Sequence, residues 1–334
     1  MRAWQIQRHA EPADAIARVE MDAPQPGPAE LRIQVEAAAL GLPDVFMCRG
    51  TYAFDPQLPF VPGQEVVGVV TAAGQGSATP VGARVMGVTA FFKGHGGLAD
   101  EALALDASVY PAPAAMAATE AAGFVIPYHT AQLALKTRGG LRGGETLLVL
   151  GAAGGSGSAA VALGKALGAR VIAVAGGPEK RAVCEGLGAD LVIDHRDGDW
   201  AEAVRDATGV HGADLIFDPV GGDAFESALD CIASEGRLLA VGYASGVWRD
   251  APTRLLVGKN ASVVGVFVGA YGKPFLEQVH AELLDHWRAG RIRSLASRVV
   301  EFDQVVGALG EIADRRATGK LVVRVGASSS VEDG

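Results

Sequence analysis

An apolar run near the middle of the chain ends abruptly in glycines. Thr146–Leu150 is followed by Gly151, Gly154 and Gly157, and a helical pattern begins at Ser156. This order predicts a buried strand, a tight turn and a helix that starts at the turn. A turn without side chains lets a pyrophosphate approach, and the N–H groups and dipole of the helix start favour its negative charge. We therefore predict a dinucleotide site rather than a purely structural turn. The residues predicted to form it are Gly154, Gly155, Ser156 and Gly157.

The residues after the next strand indicate which dinucleotide would bind. About twenty residues past the glycines, NAD enzymes usually carry an acid for the ribose 2′-hydroxyl. This chain instead reads GGPEKR over residues 176–181. Lys180 and Arg181 could neutralise a 2′-phosphate, which favours NADPH over NADH. The alternative is that both cations are solvated residues of a first helical turn, and Glu179 could turn inward.

Composition limits the size, the partners and the location of the protein. A chain of 334 residues with 49% hydrophobic residues is long enough, and apolar enough, to form two domains. A net charge of −9 without a basic run argues against nucleic-acid binding. Three scattered cysteines without CxxC spacing indicate a reducing compartment and no structural zinc site. With neither an apolar signal core nor a membrane-spanning apolar run, we expect a soluble, cytoplasmic protein.

The apolar pattern changes along the chain. Up to about Tyr110 the runs are short and broken by Gly and Pro, and Leu31–Ala37 alternates as a half-buried strand should. From about Glu120 to Asn260, strands alternate with helices, which predicts a parallel sheet covered on both faces. The predicted strands there are Thr146–Leu150, Arg170–Ala175, Asp190–Asp194, Ala213–Asp218, Arg237–Gly242 and Ser262–Val268. The predicted helices are Ser156–Gly168, Glu179–Gly188, Asp199–Thr208 and Asp223–Ala233. A helix at Pro274–Ala289 and a closing strand at Lys320–Val325 are predicted to follow.

Five motifs spread over nearly the whole chain are specific in combination. They are PFVPGQEVVGVV (residues 59–70), GAAGGSG (151–157), LGAD (187–190), DPVGG (218–222) and TGKLVV (318–323). With them the chain resembles the medium-chain dehydrogenase/reductase superfamily, specifically its zinc-free quinone oxidoreductase branch. The resemblance implies an α/β fold with a Rossmann dinucleotide-binding domain inserted in a mostly β, GroES-like catalytic domain. The implied divisions are residues 1–120 and 266–327 for the catalytic domain, 121–265 for the NADP-binding domain, and 328–334 for a disordered tail.

Zinc separates the branches of this superfamily. Zinc-dependent members carry a His–Glu pair where this chain has Gln64-Glu65, and a cysteine ligand near the position of Gly41. A catalytic zinc normally has three side-chain ligands, and the seven histidines show no HxxxH spacing that could replace them. We therefore expect no zinc. Without this Lewis acid, simple alcohol oxidation lacks its electrophile and its alkoxide stabiliser.

Hydride transfer without zinc suits conjugated acceptors, which spread the incoming charge onto an oxygen. The candidate hydrogen-bond donor to that oxygen is Tyr52, because a tyrosine at this position lines the substrate pocket in many family members. An equally open interpretation makes Tyr52 only a wall of the pocket. Where much of the branch has an asparagine, this chain has Gly41, which removes a polar group and leaves substrate choice open.

The resemblance also implies further cofactor contacts. Thr130 matches a threonine near the nicotinamide ribose phosphate, and Ser158 a hydroxyl near the pyrophosphate. Gly177 replaces a serine that contacts the 2′-phosphate, and Arg196 either stacks on the adenine or approaches that phosphate. For every one of these residues the alternative is packing or solubility. The remaining implied contacts are His195, Gly242, Tyr243, Phe267, Val268 and Lys320.

These observations predict an NADPH-dependent, zinc-independent reductase of quinones or related conjugated carbonyls. One alternative is an enoyl-thioester or enone double-bond reductase, which would share the cofactor site. The second is an NADPH-binding sensor without efficient turnover. The loss of a polar side chain at Gly41 leaves this alternative open. A small-molecule acceptor is the expected partner, with neither nucleic acid nor membrane. A homodimer is also expected, because the strand Ser262–Val268 would otherwise leave backbone groups exposed at a sheet edge.

Overall fold

A computed structural model describes residues 1–54 and 56–326. These residues form two compact units, one comprising Met1–Ile126 and the chain from Ser294 onwards, the other Pro127–Arg293. The predicted domain boundaries lie at 120/121 and 265/266, whereas the units divide at 126/127 and 293/294. The predicted tail, residues 328–334, lies outside the described residues.

Strands and helices are numbered here along the whole chain. The strands are β1 (Arg2–Ile6), β2 (Ile16–Glu20), β3 (Glu30–Leu40), β4 (Glu65–Ala73), β5 (Arg84–Val88), β6 (Glu101–Leu105), β7 (Val109–Pro111), β8 (Thr146–Val149), β9 (Arg170–Val174), β10 (Leu191–Ile193), β11 (Ala213–Asp218), β12 (Ile232–Ala240), β13 (Ser262–Gly265), β14 (Ala296–Glu301) and β15 (Lys320–Arg324). The α-helices are α1 (Pro12–Ala15), α2 (Leu42–Arg49), α3 (Ala118–Ala121), α4 (Val125–Gln132), α5 (Gly155–Ala166), α6 (Pro178–Gly186), α7 (Trp200–Ala207), α8 (Asp223–Asp230), α9 (Thr253–Lys259), α10 (Lys273–Arg288) and α11 (Val305–Ala313).

The first unit is mostly β. Its main sheet has seven strands in the order β14-β15-β3-β4-β5-β7, with β6 paired to β3, and β1 and β2 form a separate antiparallel pair. The register between β3 and β4 shifts between Val35 and Ala37, opposite Gly68. A Cβ at Gly68 would lie 2.1 Å from the carbonyl oxygen of Gln34. Only glycine fits so near the neighbouring strand, which explains why Gly68 stands at this register shift.

The second unit contains a six-stranded parallel sheet in the order β10-β9-β8-β11-β12-β13. Its strands are nearly continuous apolar runs, and Leu147, Leu148 and Val149 are all buried, as expected where helices cover both faces of a parallel sheet. The strand order reverses between β8 and β11, and a doubly wound sheet binds its ligand at the carboxyl ends of the strands beside that point. The predicted Rossmann architecture is therefore confirmed.

Three predicted element ends are clearly wrong, the first being the start of the strand predicted from Arg237, since β12 already begins at Ile232. The helix predicted over Asp223–Ala233 ends at Asp230, because Ile232 already pairs with Ala213 in the sheet. The strand predicted over Ser262–Val268 ends at Gly265, and Val268–Ala270 forms a 3₁₀ turn. Within residues 1–54 and 56–326, no helix is both long and apolar enough to cross a membrane.

Candidate cofactor and active site

The glycine turn after β8 has the geometry that its sequence predicts. Gly151 has a φ of +54°, and α5 begins after Gly154 without a side-chain cap. A Cβ at Gly157 would lie 2.2 Å from the carbonyl oxygen of Gly151, so no other residue fits there. Ser158 is buried and its hydroxyl donates to the carbonyl of Ala152 at 3.3 Å. The turn therefore presents backbone N–H groups at the start of a helix, which is suited to an anion.

The loop after β9 contains a second unusual glycine. Gly177 has a φ of +94° and precedes the first residue of α6. Lys180, which is half-buried, and Arg181, which is exposed, lie in the first turn of that helix. The backbone N–H of Arg181 donates to the carbonyl of Gly177 at 3.0 Å. Both predicted cations thus follow the strand tip within one helical turn.

Asp194, in the loop after β10, contacts the loop after β9 and was missed by the sequence prediction. Its Oδ2 accepts the N–H of Gly177 at 2.7 Å and a guanidinium N–H of Arg196, also at 2.7 Å. The hydrogen bond from the Arg196 side chain is the main cause that holds the pKa of Asp194 well below its ordinary value. The position of Asp194 in the sequence could have indicated it, because Asp194 directly follows β10 and β10 is the neighbour of β9 in the sheet.

Other predicted residues lie at the ends of the remaining strands. Gly242 follows β12, and its N–H donates to the carbonyl of Asp218 at 3.3 Å. Tyr243 packs against Trp248 with ring centroids 4.6 Å apart. Phe267, which is 62% exposed, follows β13. Val268 is half-buried in the 3₁₀ turn, Thr130 is half-buried on α4, and His195 is exposed after β10.

Tyr52 belongs to an aromatic cluster of the first unit. Its ring lies 6.0 Å from Phe54 and 6.3 Å from Phe91, centroid to centroid. Phe92 packs edge-on against Phe91 at 5.7 Å. Phe54 and Phe92 are exposed and Tyr52 is half-buried. The cluster offers an apolar surface with one phenolic hydroxyl, as a pocket for a planar acceptor would require.

Lys320 is also in the first unit, where it pairs with a buried carboxylate. Its Nζ lies 3.3 Å from Oε2 of Glu65, while Oε1 of Glu65 accepts the N–H of Ile126 at 2.9 Å. Burial raises the pKa of Glu65, and the charge of Lys320 opposes that rise. A Cβ at Gly41 would lie 3.7 Å from the same Nζ. Lys320 therefore neutralises Glu65 close to Gly41.

Asp44 combines capping with a contact to another loop. Its carboxylate accepts the N–H of Gly41 at 2.8 Å, at the start of α2, and the N–H of Gly63 at 3.0 Å. The side chain is fully buried, and this burial raises the pKa of Asp44 to about 6. Asp44 thus caps the start of α2 and links it to the loop at Gly63.

The positions of the zinc ligands in zinc-dependent relatives hold Gly41, the buried Gln64 and the ion-paired Glu65 in this chain. In the part of the chain that the structure describes, no three His, Cys, Asp or Glu side chains are grouped so that they could hold a metal ion.

Two family profiles match the chain. Residues 27–114 match the alcohol dehydrogenase GroES-like domain, and residues 155–285 match the zinc-binding dehydrogenase profile. The quinone oxidoreductase-like protein 2 homolog of Nematostella vectensis is 35% identical over 89% of this chain and 82% of its own length.

Solved structures agree with the sequence relatives. A probable oxidoreductase from Mycobacterium abscessus is 36% identical, covers 97% of this chain and 98% of its own, and has a TM-score of 0.80. A mycobacterial protein solved in complex with NADPH is 27% identical, covers 97% of this chain and 99% of its own, and has a TM-score of 0.88.

The chain therefore belongs to the medium-chain dehydrogenase/reductase superfamily and is an oxidoreductase of that class. Within the superfamily it falls in the zinc-free quinone oxidoreductase branch, as its motifs predicted.

Proposed function

We propose that this chain is an NADPH-dependent reductase that transfers a hydride, without zinc, to a quinone or a related conjugated carbonyl. The observation that carries the proposal is the pair Lys180 and Arg181 in the first turn after Gly177, beside the glycine turn of β8. A 2′-phosphate brings up to two negative charges, which two cations at that strand end would stabilise.

Bound NADPH would supply the hydride. The chain would hold the pyrophosphate on the backbone of Gly154–Gly157 and present a planar acceptor to the aromatic cluster around Tyr52. The Tyr52 hydroxyl is the candidate donor of a hydrogen bond to the acceptor oxygen as that oxygen gains charge. A conjugated acceptor spreads this charge, so one donor or a water suffices where an isolated carbonyl would need a Lewis acid.

The proposal of zinc independence rests on three positions. Gly41 has no side chain, and Gln64 offers only a neutral amide in place of a stronger ligand. Glu65 is already paired with the ammonium of Lys320 at 3.3 Å. A zinc ion bound to Glu65 would be repelled by that buried cation. Metal analysis of the purified protein tests this point, since one tightly bound zinc per chain would contradict it.

We also propose a homodimer that forms through β13. Among the described strands, β13 is at the sheet edge and pairs only with β12. Val257, on α9 before β13, and Phe267, just after β13, are exposed. A two-fold partner could pair with this edge and cover these side chains.

All three cysteines are buried free thiols, which supports a reducing location such as the cytoplasm.

The test of the function is steady-state oxidation of NADPH and NADH with four acceptors: a benzoquinone, a naphthoquinone, an α,β-unsaturated ketone and an enoyl-CoA. Turnover of quinones with a preference for NADPH supports the proposal. Turnover confined to the enone or the thioester would move the protein to the double-bond reductases. Binding of NADPH without turnover of any acceptor would favour a sensor.

A further inference from the structure

A pocket lies at the amino-terminal edge of the parallel sheet in the second unit. Its volume is about 140 Å³, and its walls include Gly212, directly before β11, and Ile232, the first residue of β12. The glycine turn of the candidate cofactor site follows β8, which runs parallel to β11, and therefore lies at the opposite edge. A strand of six residues separates the two edges by roughly 15–20 Å. The pocket is thus distinct from the candidate cofactor site.

The pocket is open to solvent and has room for a small polar ligand. A single water needs about 10–15 Å³ of such space, so a ligand of several heavy atoms fits. Val210, which is 81% exposed, and the exposed Ser234 are among the lining residues. His211 also lines the pocket, and its Nε2 lies 2.8 Å from Oδ1 of Asp214. A ligand can therefore enter without any rearrangement of the fold.

Lys259, one of the two cations of the pocket, has a structural role. It lies in the last turn of α9, and its Nζ donates to the carbonyls of Leu229 and Asp230 at 3.3 Å and of Ile232 at 2.9 Å. Carbonyl groups at the end of a helix favour such a cation, and here they belong to the end of α8. Lys259 therefore brings charge to the pocket, while its N–H groups are already used.

Arg205, the other cation, has no such structural role. It is half-buried in the last turn of α7, yet within residues 1–54 and 56–326 its side chain donates no hydrogen bond and forms no ion pair. The carbonyl of Ala207, at the end of the same helix, is bound instead by Nη2 of Arg170 at 2.8 Å. A half-buried guanidinium without an acceptor is suited to bind a carboxylate or a phosphate in its fork.

The balance of charge in the pocket is positive. Burial raises the pKa of the Cys231 thiol, in the pocket wall, to about 12, and the charges of Arg205 and then Lys259 oppose this rise. Asp230 acts in the other direction with a smaller effect, and it is exposed, so solvent screens it. Because Arg170 and Lys259 already offset the ends of α7 and α8, the charge of Arg205 is left in excess.

We propose that this pocket binds a phosphate group, either free or as the ester of a small molecule, with Arg205 as its main hydrogen-bond donor. The fork of a guanidinium matches the oxygens of a phosphate, and Lys259 supplies the second positive charge. A phosphate carries about −1.5 to −2 at pH 7 and gains from both cations, whereas a carboxylate carries a single charge. The inference is independent of the proposed function, because it concerns a second ligand at the opposite edge of the sheet.

The experiment is calorimetric titration of the full chain with inorganic phosphate and, separately, with glycerol phosphate, at an ionic strength held constant with chloride. The same titrations of the double variant Lys180→Ala/Arg181→Ala remove the candidate phosphate contacts of the cofactor site. Binding at the pocket should persist in that variant. Tighter binding of inorganic phosphate would identify the free ion as the ligand, and tighter binding of glycerol phosphate would identify an ester.

Arg205→Gln should weaken the tighter of the two probes about 10- to 100-fold, as expected for the loss of charged hydrogen bonds. Arg205→Lys should lose less affinity, since it keeps the charge but not the fork. Arg170→Gln is the matched control, because Arg170 is a cation at the end of the same helix that does not line the pocket. Its affinity should stay within about 2-fold of wild type. Thermal unfolding shows that each variant is folded, and phosphate should raise the Tm of wild type but not of Arg205→Gln.

Three results would overturn the inference. The first is the absence of binding of either probe to the wild type at millimolar concentrations. The second is an equal loss of affinity in Arg205→Gln and Arg170→Gln, which would indicate attraction by the general surface charge. The third is binding of acetate as tight as that of phosphate, which would assign the pocket to carboxylates. NADPH binding and turnover, measured on the same preparations, test the proposed function separately, so either proposal can fail alone.

Discussion

The ammonium of Lys320 lies 3.3 Å from Oε2 of Glu65, and both side chains are buried, with Glu65 fully enclosed and Lys320 9% exposed. Glu65 begins β4 and Lys320 begins β15, and both strands pair with β3 in the sheet of the first unit. The pair therefore joins two parts of the chain that are distant in sequence. Each charge depends on the other, because a buried ion without a partner is costly.

Lys320→Met should destabilise the protein by about 3–5 kcal/mol, since it leaves Glu65 buried and unpaired. The free energy of unfolding in urea at pH 7 measures this loss. The double variant Glu65→Gln/Lys320→Met should recover most of it, because a neutral amide replaces the unpaired carboxylate. An unchanged free energy in Lys320→Met would show that the pair does not stabilise the fold.

Asp44 should lower stability as the pH rises from about 4 to about 6. Its pKa is raised from 3.8 to about 6 by burial, so the folded state binds a proton that the unfolded state has already released. At pH values above this window the cost is on the order of 3 kcal/mol. Asp44→Asn cannot ionise, so its unfolding free energy should lose this downward slope. Urea titrations of both proteins between pH 4 and 7 compare the slopes. Equal slopes of unfolding free energy against pH in the wild type and Asp44→Asn would show that ionisation of Asp44 does not cause the loss of stability.

The local parts of the fold could be predicted from the sequence. The turn at Gly151–Gly157 and the strand–helix alternation after it depend on residues close together in the chain, so their pattern is sufficient. The end of α8 could not be predicted in this way. Residues 231–233 remain compatible with a helix until the pairing of Ile232 with Ala213 is known, and that pairing is a tertiary contact.

The candidate site was predicted less completely, for the same reason. Lys180 and Arg181 lie in the helix that follows their own strand, so the sequence alone could predict their place near the end of β9. The contact between Asp194 and Gly177 depends on which strand lies beside β9, and the sequence does not specify that order. Similarly, the motif around Lys320 gave no indication of Glu65 as its partner.

Tyr52→Phe should slow reduction of an enone more than reduction of a quinone. A quinone already spreads the added charge over two conjugated oxygens, whereas an enone depends more on a donor to its oxygen. If the hydroxyl acts as that donor, kcat with the enone should fall by about 10- to 100-fold. Phe92→Leu, which keeps an apolar side chain in the same cluster, serves as the control. Equal rates for wild type and Tyr52→Phe with both acceptors would show that Tyr52 only lines the pocket and donates no hydrogen bond to the acceptor.

His129 should make the second unit less stable in mild acid. Its Nε2 lies 3.0 Å from Nδ1 of His280, and both side chains are buried. Burial, and then the neighbouring His280, lower the pKa of His129 well below 6.5. The unfolded state therefore binds the extra proton, and stability falls as the pH drops below about 6.5. His129→Gln should flatten this dependence. Urea unfolding between pH 5 and 7 makes the comparison, and an unchanged slope in His129→Gln would exclude the role.

Gly157→Ala should abolish cofactor binding, because the new Cβ would lie 2.2 Å from the carbonyl oxygen of Gly151 and 2.8 Å from Cα of Ala152. Both neighbours are backbone atoms of the turn itself, so relief of the clash must move the N–H groups that we propose bind the pyrophosphate. Gly186→Ala, at the end of α6, is the matched control, since a Cβ there meets no atom within 4 Å. That variant should bind NADPH as the wild type does, with a stability equal to or slightly above it. Titration of NADPH by its fluorescence, with circular dichroism to show that each variant is folded, separates the two glycines. Wild-type affinity in Gly157→Ala would mean that the turn after β8 does not form the cofactor site.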